Sequence, residues 1–260
     1  MLKEIIVAIQ AYNEAHKFIV KQKLWKWIFI PGLIYTVLFI VGIYFFWISS
    51  NSAIEFVLIK TGVKGWLDRM QDGWISYLFF VGHIMLQLIL MLFYFSLFKF
   101  LFLIIGSPIF AWLSEKTESL MEGKDFPFSF SQLMRDIARG IKIAMRNLLW
   151  QTVYLLTILI LSFIPVVGWI GPLVALFVEC YYFGFSMLDY SSERNKMSAR
   201  QSMDFIGRHK GLAIGNGMIF YIMHLLPVIG WVLAPSYAVI AATISLINAK
   251  NKEIISYHHT

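Results

Sequence analysis

Residues Trp27–Ile48 read WIFIPGLIYTVLFIVGIYFFWI, a run of 22 residues without a charge. As an α-helix rising ~1.5 Å per residue, such a run crosses a hydrocarbon layer of about 30 Å. A water-soluble domain has no use for a stretch this long and this apolar. It predicts an all-α integral membrane protein. Trp74–Ile105 is a second run, 32 residues long, in which only Lys99 is a lysine, arginine or carboxylate. At the same rise it is about half as long again as the layer is thick, so it tilts or projects into water. Gly106-Ser107-Pro108 behind it predicts a helix break.

Composition agrees. Of 260 residues 59% are hydrophobic and 14% charged, with mean hydropathy +0.70. A soluble domain would be about half apolar and a quarter charged. A net charge of +7 would suggest nucleic acid in a soluble chain. Here the basic residues lie between apolar runs, so membrane topology explains them and no nucleic-acid partner is expected. Cys180 is the only cysteine, which excludes an intrachain disulfide and a cysteine metal cluster. Hydrolase, P-loop and zinc motifs are absent. No enzyme, no cofactor and no metal site are expected. The charged first 26 residues do not read as a cleavable signal. Leu2, Ile5, Ile6, Ile9 and Tyr12 recur there at helical spacing. Two readings of 1–26 stand: an amphipathic helix lying in the membrane interface, or a helix packed on the protein's own spans.

Residues 109–146 are polar and charged. Two further apolar blocks follow, 147–190 and 211–249, each interrupted. Ile164-Pro165-Val166-Val167-Gly168-Trp169 breaks the first and Leu226-Pro227-Val228-Ile229-Gly230-Trp231 the second, an internal repeat offset by 62 residues. Paired Pro/Gly interruptions mark broken or hairpin helices in transport folds. Neither interruption carries a charge. The ascending arm Gly211–Leu226 is 16 residues, about 24 Å as a helix, which is short for a crossing. Hairpins that turn inside the membrane fit this, and full spans with tight outer turns are the alternative. The whole is one membrane domain, 1–260, with 1–26 interfacial, 27–48 and 74–105 as two long membrane helices, and two Pro/Gly-broken hairpins.

Lys and Arg number five in 1–26, three in 49–73, six in 106–146, five in 191–210 and two in 250–260. Placing 49–73 and both apices outside leaves the richest basic segments inside, as the positive-inside rule requires, with both termini cytoplasmic. Arg135, Arg139, Lys142 and Arg146 share about a 60° sector of one helix face. This stripe attracts anions to a pore mouth or meets anionic lipid headgroups. Glu179 is an ionisable group in an apolar block, with Lys99, His83 and His224 as candidate companions. Such a residue serves a transport path or a structural pair.

Ser107-Pro108 leading into Leu113-Ser114-Glu115-Lys116, the apex Ile164-Pro165-Val166-Val167-Gly168, Leu188-Asp189-Tyr190 followed by Arg194, and Leu226-Pro227 together resemble the CysZ and etoposide-induced-protein family, over about residues 5–245. The resemblance implies an inner-membrane protein with two long helices, two partly penetrating hairpins and homo-oligomeric assembly. It also implies a Gly-Leu-Arg-Arg stretch before the first long helix that serves the anion. The matching stretch here is Lys23-Leu24-Trp25-Lys26. Lys23 and Lys26 are the expected anion-binding residues, although lysine is a point charge without arginine's fork, and Lys26 also suits a plain interfacial anchor. The expected function is a transporter or channel-like permease for a small inorganic anion such as sulfate, with membrane lipids as its surroundings. The alternative is a non-transporting scaffold that organises lipids or partner proteins.

Overall fold

The computed structural model describes residues 1–60, 74–123, 130–162, 164, 167–194 and 197–251. Part of the polar segment 49–73, together with Pro165 and Val166 of the first apex, lies outside the described residues. The described chain is helical, without strands. Eight helices run in order: α1 Leu2–Gln22, α2 Trp25–Lys60, α3 Trp74–Glu122, α4 Phe130–Leu161, α5 Val167–Arg194, α6 Ala199–Arg208, α7 Lys210–His224 and α8 Ile229–Asn251. Among the described residues five stretches are long and apolar enough to cross a membrane: Trp25–Ser50, Phe98–Glu122, Ile137–Leu161, Gly168–Ser192 and Ile229–Asn251.

The two long apolar runs extend beyond their sequence limits. α2 has 36 residues and α3 has 49. They lie antiparallel, with Trp27 against Trp112 at 4.1 Å, Tyr35 against Phe102 at 4.5 Å and Phe46 against Tyr94 at 5.6 Å between ring centroids. The expected break at Gly106-Ser107-Pro108 does not occur, and α3 runs through it. A proline lacks the N–H that would bond the carbonyl four residues back. Here that carbonyl is Ile104, and it accepts the Ser107 hydroxyl at 2.9 Å instead. The polar stretch 109–146 is likewise mostly helix, divided between the end of α3 and the start of α4.

α5 forms the centre, packed on α3, α4, α7 and α8. Phe183 and Phe220 stack at 3.6 Å across the α5–α7 contact. Close approach there depends on glycine. A Cβ on Gly184 would strike the carbonyl of Ala213, and one on Gly217 the carbonyl of Cys180. The outward faces stay apolar: Leu33, Trp47, Leu149, Ile160 and Leu173 are exposed. In a hydrocarbon layer these are lipid contacts.

α1 lies against α7 and α8. Its small residues Ala8, Ala11 and Ala15 face inward with Tyr12 and Ile19, while Leu2, Ile6, Ile9 and Val20 stay exposed. Glu4 fastens it: its carboxylate accepts the Gly211 N–H at 3.1 Å and contacts His209 Nδ1 at 2.8 Å, filling an open donor at the start of α7.

The repeated glycines close the two hairpin turns. A Cβ on Gly168 would meet the Ser162 carbonyl, and one on Gly230 the Met223 carbonyl. The hairpins differ in height. Glu179 on α5 and Tyr221 on α7 touch. From that level the first turn lies 11 residues away at Gly168, about 16 Å, and the second only four residues away at Leu225, about 6 Å. Val228 in the second turn has φ 63°, a left-handed conformation that disfavours a β-branched residue.

Gly217→Ala should destabilise the protein by about 1–3 kcal/mol, because the new methyl meets backbone rather than a movable side chain. Gly82, also helical, has nothing within 4 Å of an added Cβ. Gly82→Ala should be neutral or stabilising by up to about 1 kcal/mol. Thermal unfolding of both variants in detergent checks the opposed signs.

Candidate functional site

Five polar side chains from four helices meet in the apolar interior. Lys99 and Ser96 come from α3, Gln151 from α4, Glu179 from α5 and Tyr221 from α7. The ammonium of Lys99 donates to Glu179 Oε2 at 2.6 Å and to Gln151 Oε1 at 3.0 Å. Tyr221 donates its hydroxyl to the same Glu179 oxygen at 2.6 Å. The Gln151 amide donates to the other Glu179 oxygen and to Ser96 Oγ, the latter at 2.6 Å. Lys99 also lies 4.8 Å from the centre of the Phe100 ring. The two charged side chains are 2% and 1% exposed, so neither can reach bulk water without a rearrangement. Removing one partner of such a pair typically costs about 3–5 kcal/mol.

Of the companions expected for Glu179, the structure brings in Lys99 alone. His83 is exposed on α3. His224 is enclosed by the rings of Tyr35, Phe39 and Phe220 at 5.0, 5.3 and 4.5 Å. Cys180, beside Glu179, is buried, with its carbonyl at the α5–α7 crossing. Among the described residues no His, Cys, Asp and Glu cluster could hold a metal.

The basic stripe on α4 divides. Arg135 reaches Ser131 Oγ at 2.8 Å and Lys142 is exposed. Arg139 turns inward, donating to Asp189 Oδ1 at 3.0 Å and to the Met197 carbonyl. Asp189 also accepts the Ser202 hydroxyl. Arg146 bonds Asn147 Oδ1 at 3.1 Å and lies 5.5 Å from the Phe185 ring. Asn147 in turn donates to Ser186 Oγ at 3.2 Å. Arg139–Asp189, Asn147–Ser186 and Gln151–Glu179 are thus successive polar ties between α4 and α5. They form a seam along α4 from Arg139 to Gln151, about 18 Å, from the basic end to Lys99. Gln151, Ser96 and Tyr221 were not singled out in the sequence, and Asp189 entered there only as part of the family resemblance. Asn147 and Gln151, four apart at the head of an apolar run, were the readable sign of a polar ridge facing a partner helix.

Lys23 and Lys26 are exposed at the α1–α2 junction, far along the chain from the buried cluster. Lys23 has φ 55° and ψ 40°. Its N–H bonds the Val20 carbonyl at 3.4 Å and that of Leu24 the Ile19 carbonyl at 3.2 Å. Leu24 and Ile19 are both buried. This is a Schellman turn, with Lys23 at the position that favours glycine. Lys23 therefore bears the cost of a left-handed backbone that a glycine would not. Lys23→Gly should raise stability by about 1 kcal/mol, whatever it does to anions. Thermal unfolding beside a Lys23→Ala control, which keeps the left-handed cost, separates the backbone effect from the charge.

Comparison with known proteins supplies a second line. Residues 11–235 match the family described as sulfate transporter CysZ/etoposide-induced protein 2.4. Relatives named sulfate transporter CysZ include one from Pseudomonas aeruginosa strain LESB58, 25% identical over 195 residues, covering 73% of this chain and 79% of the relative. Another, from Pseudomonas syringae pv. tomato strain DC3000, is 25% identical over 199 residues, 75% of this chain and 78% of the relative. A third, from Vibrio parahaemolyticus, is 21% identical over 177 residues, 66% and 70% of the two chains.

Proposed function

This chain belongs to the sulfate transporter CysZ/etoposide-induced protein 2.4 family, and on that premise we propose that it carries a small inorganic anion, sulfate, across a membrane. The observation that supports this most directly is the α4–α5 seam, a line of polar side chains leading from a basic surface to a buried ammonium. The family and the transporter names of the relatives favour this over a scaffold that only gathers lipids or partners. Transport also agrees with the several multi-pass helices and with the transporter names of the relatives.

On this reading α2 and α3 are the two long crossing helices, and the second hairpin, with its low turn, enters without reaching the far side. The exposed ridge of α1, Leu2, Ile6, Ile9 and Val20, lies in the membrane interface. The protein resides in the inner membrane with both termini cytoplasmic and assembles as a homo-oligomer. Lys23 and Lys26 gather the anion at the cytoplasmic surface, with the exposed Arg135 and Lys142 adding to the local potential.

Vesicles containing the purified protein should take up labelled sulfate faster than protein-free vesicles. Equal rates, for sulfate and for other small anions, overturn the reading. Lys26→Gln should lower apparent sulfate affinity by the equivalent of roughly 1–3 kcal/mol, and Lys26→Arg should retain it. In a Cys180→Ser background, an impermeant thiol reagent applied to intact cells should label a cysteine at Ser52 and spare one at Gln201. The opposite pattern reverses the orientation, and labelling of both indicates two orientations.

A further inference from the structure

The carboxylate of Glu179 is held by three donors, one charged and two neutral. Lys99 and Tyr221 donate to one oxygen and Gln151 to the other. These donors come from three different helices and converge on one point. An apolar pair of similar volume is often as stable as a buried ion pair, so packing alone does not call for charge at this point. The arrangement is that of an oxyanion cradle: one cation and two neutral donors around two oxygens. The two oxygens of a carboxylate and two oxygens of a tetrahedral oxyanion present the same acceptors at similar spacing. The cradle also lies at the inner end of the α4–α5 seam, where an anion arriving from the basic surface would stop.

We propose that Lys99, Gln151 and Tyr221 form an inner binding site for a small oxyanion, and that Glu179 occupies it in this conformation as a tethered plug. The site deepens the transport reading and rests on it only for the identity of the ion. Passage requires the ion to displace the Glu179 side chain from its donors. Glu179 is then a gate as well as a partner for Lys99, and Lys99 holds the ion rather than serving only to neutralise a carboxylate. Gln151 has a further role. Its amide spans Glu179 and Ser96, and its carbonyl accepts from Lys99, so it keeps the ammonium aimed at the same point when the carboxylate moves away.

The test uses the full chain, purified and measured both for equilibrium binding of labelled sulfate and for flux in vesicles. Glu179→Gln removes the plug's charge and keeps its shape. It should bind sulfate at least tenfold more tightly than the wild type. Adding Tyr221→Phe to Glu179→Gln should weaken that binding about fivefold or more, and adding Lys99→Met should abolish it. Lys99→Met/Glu179→Met removes both charges together. It should remain monodisperse with near wild-type thermal stability, yet lose flux. If this double variant folds and carries sulfate at the wild-type rate, the pair is a structural tie and the proposal fails. If Glu179→Gln folds and its sulfate binding is unchanged, the plug is disproved even where the wild type transports. If the wild type carries no anion but Glu179→Gln binds sulfate through Lys99, the site stands and the transport reading falls. Should both charge variants fail to fold, Tyr221→Phe alone decides: unaltered flux and binding overturn the site, and a fall in both supports it.

Discussion

Hydrocarbon offers no partner to a polar group, so every N–H, carbonyl and charge within the membrane must find one in the protein. That constraint accounts for the helices and for the places where they deviate from ideal. Where Pro108 leaves the Ile104 carbonyl without its amide, Ser107 supplies a hydroxyl. Where α7 opens with free amides, Glu4 reaches over from α1. Where α3 and α5 bring Lys99 and Glu179 into the interior, each charge is answered by the other, with Gln151 of α4 and Tyr221 of α7 adding further bonds.

The same constraint orders the packing. Apolar side chains gain little by leaving lipid for one another, so helices hold together through close backbone approach and through polar ties. Both devices operate on α5. Gly184 lets α7 approach from one side, while Asp189, Ser186 and Glu179 bond α4 along the other. The helix at the centre of the fold is therefore also the helix that carries the candidate site. A change to the site is felt by the packing, which is why replacing two charges together is more informative than replacing one.

The membrane class, the long runs and the paired turns could be read directly, because an uncharged 22-residue run and a repeated Pro-x-x-Gly have few other uses. The continuation of α3 through Pro108 could not. Proline signals a break unless a neighbouring hydroxyl compensates, and Ser107 does so through a geometry that composition does not express. Glu179 was conspicuous because it is a lone charge among apolar residues. Its amide and hydroxyl partners were not, since Gln151 and Tyr221 are ordinary at the edges of membrane helices and lie 28 and 42 residues from it. Lys23 offered the opposite difficulty. Its charge drew attention to anions, whereas its left-handed backbone is the property that the position demands.

Lys99 and Glu179 sum to zero net charge, whether they stand as an ion pair or as two neutral groups. An electrical potential across the bilayer does work on each charge in proportion to the part of the field it crosses, about 2.3 kcal/mol per elementary charge per 100 mV for a full crossing. Drawing the Glu179 carboxylate a few ångströms off Lys99 carries one charge through only about a tenth of a ~30 Å field, so little gating charge moves. A divalent anion crossing the same field experiences about twice that work, roughly 4.6 kcal/mol per 100 mV. Membrane voltage therefore acts on the cargo and leaves the latch almost untouched, so a negative-inside potential would oppose net entry of sulfate without itself closing the protein.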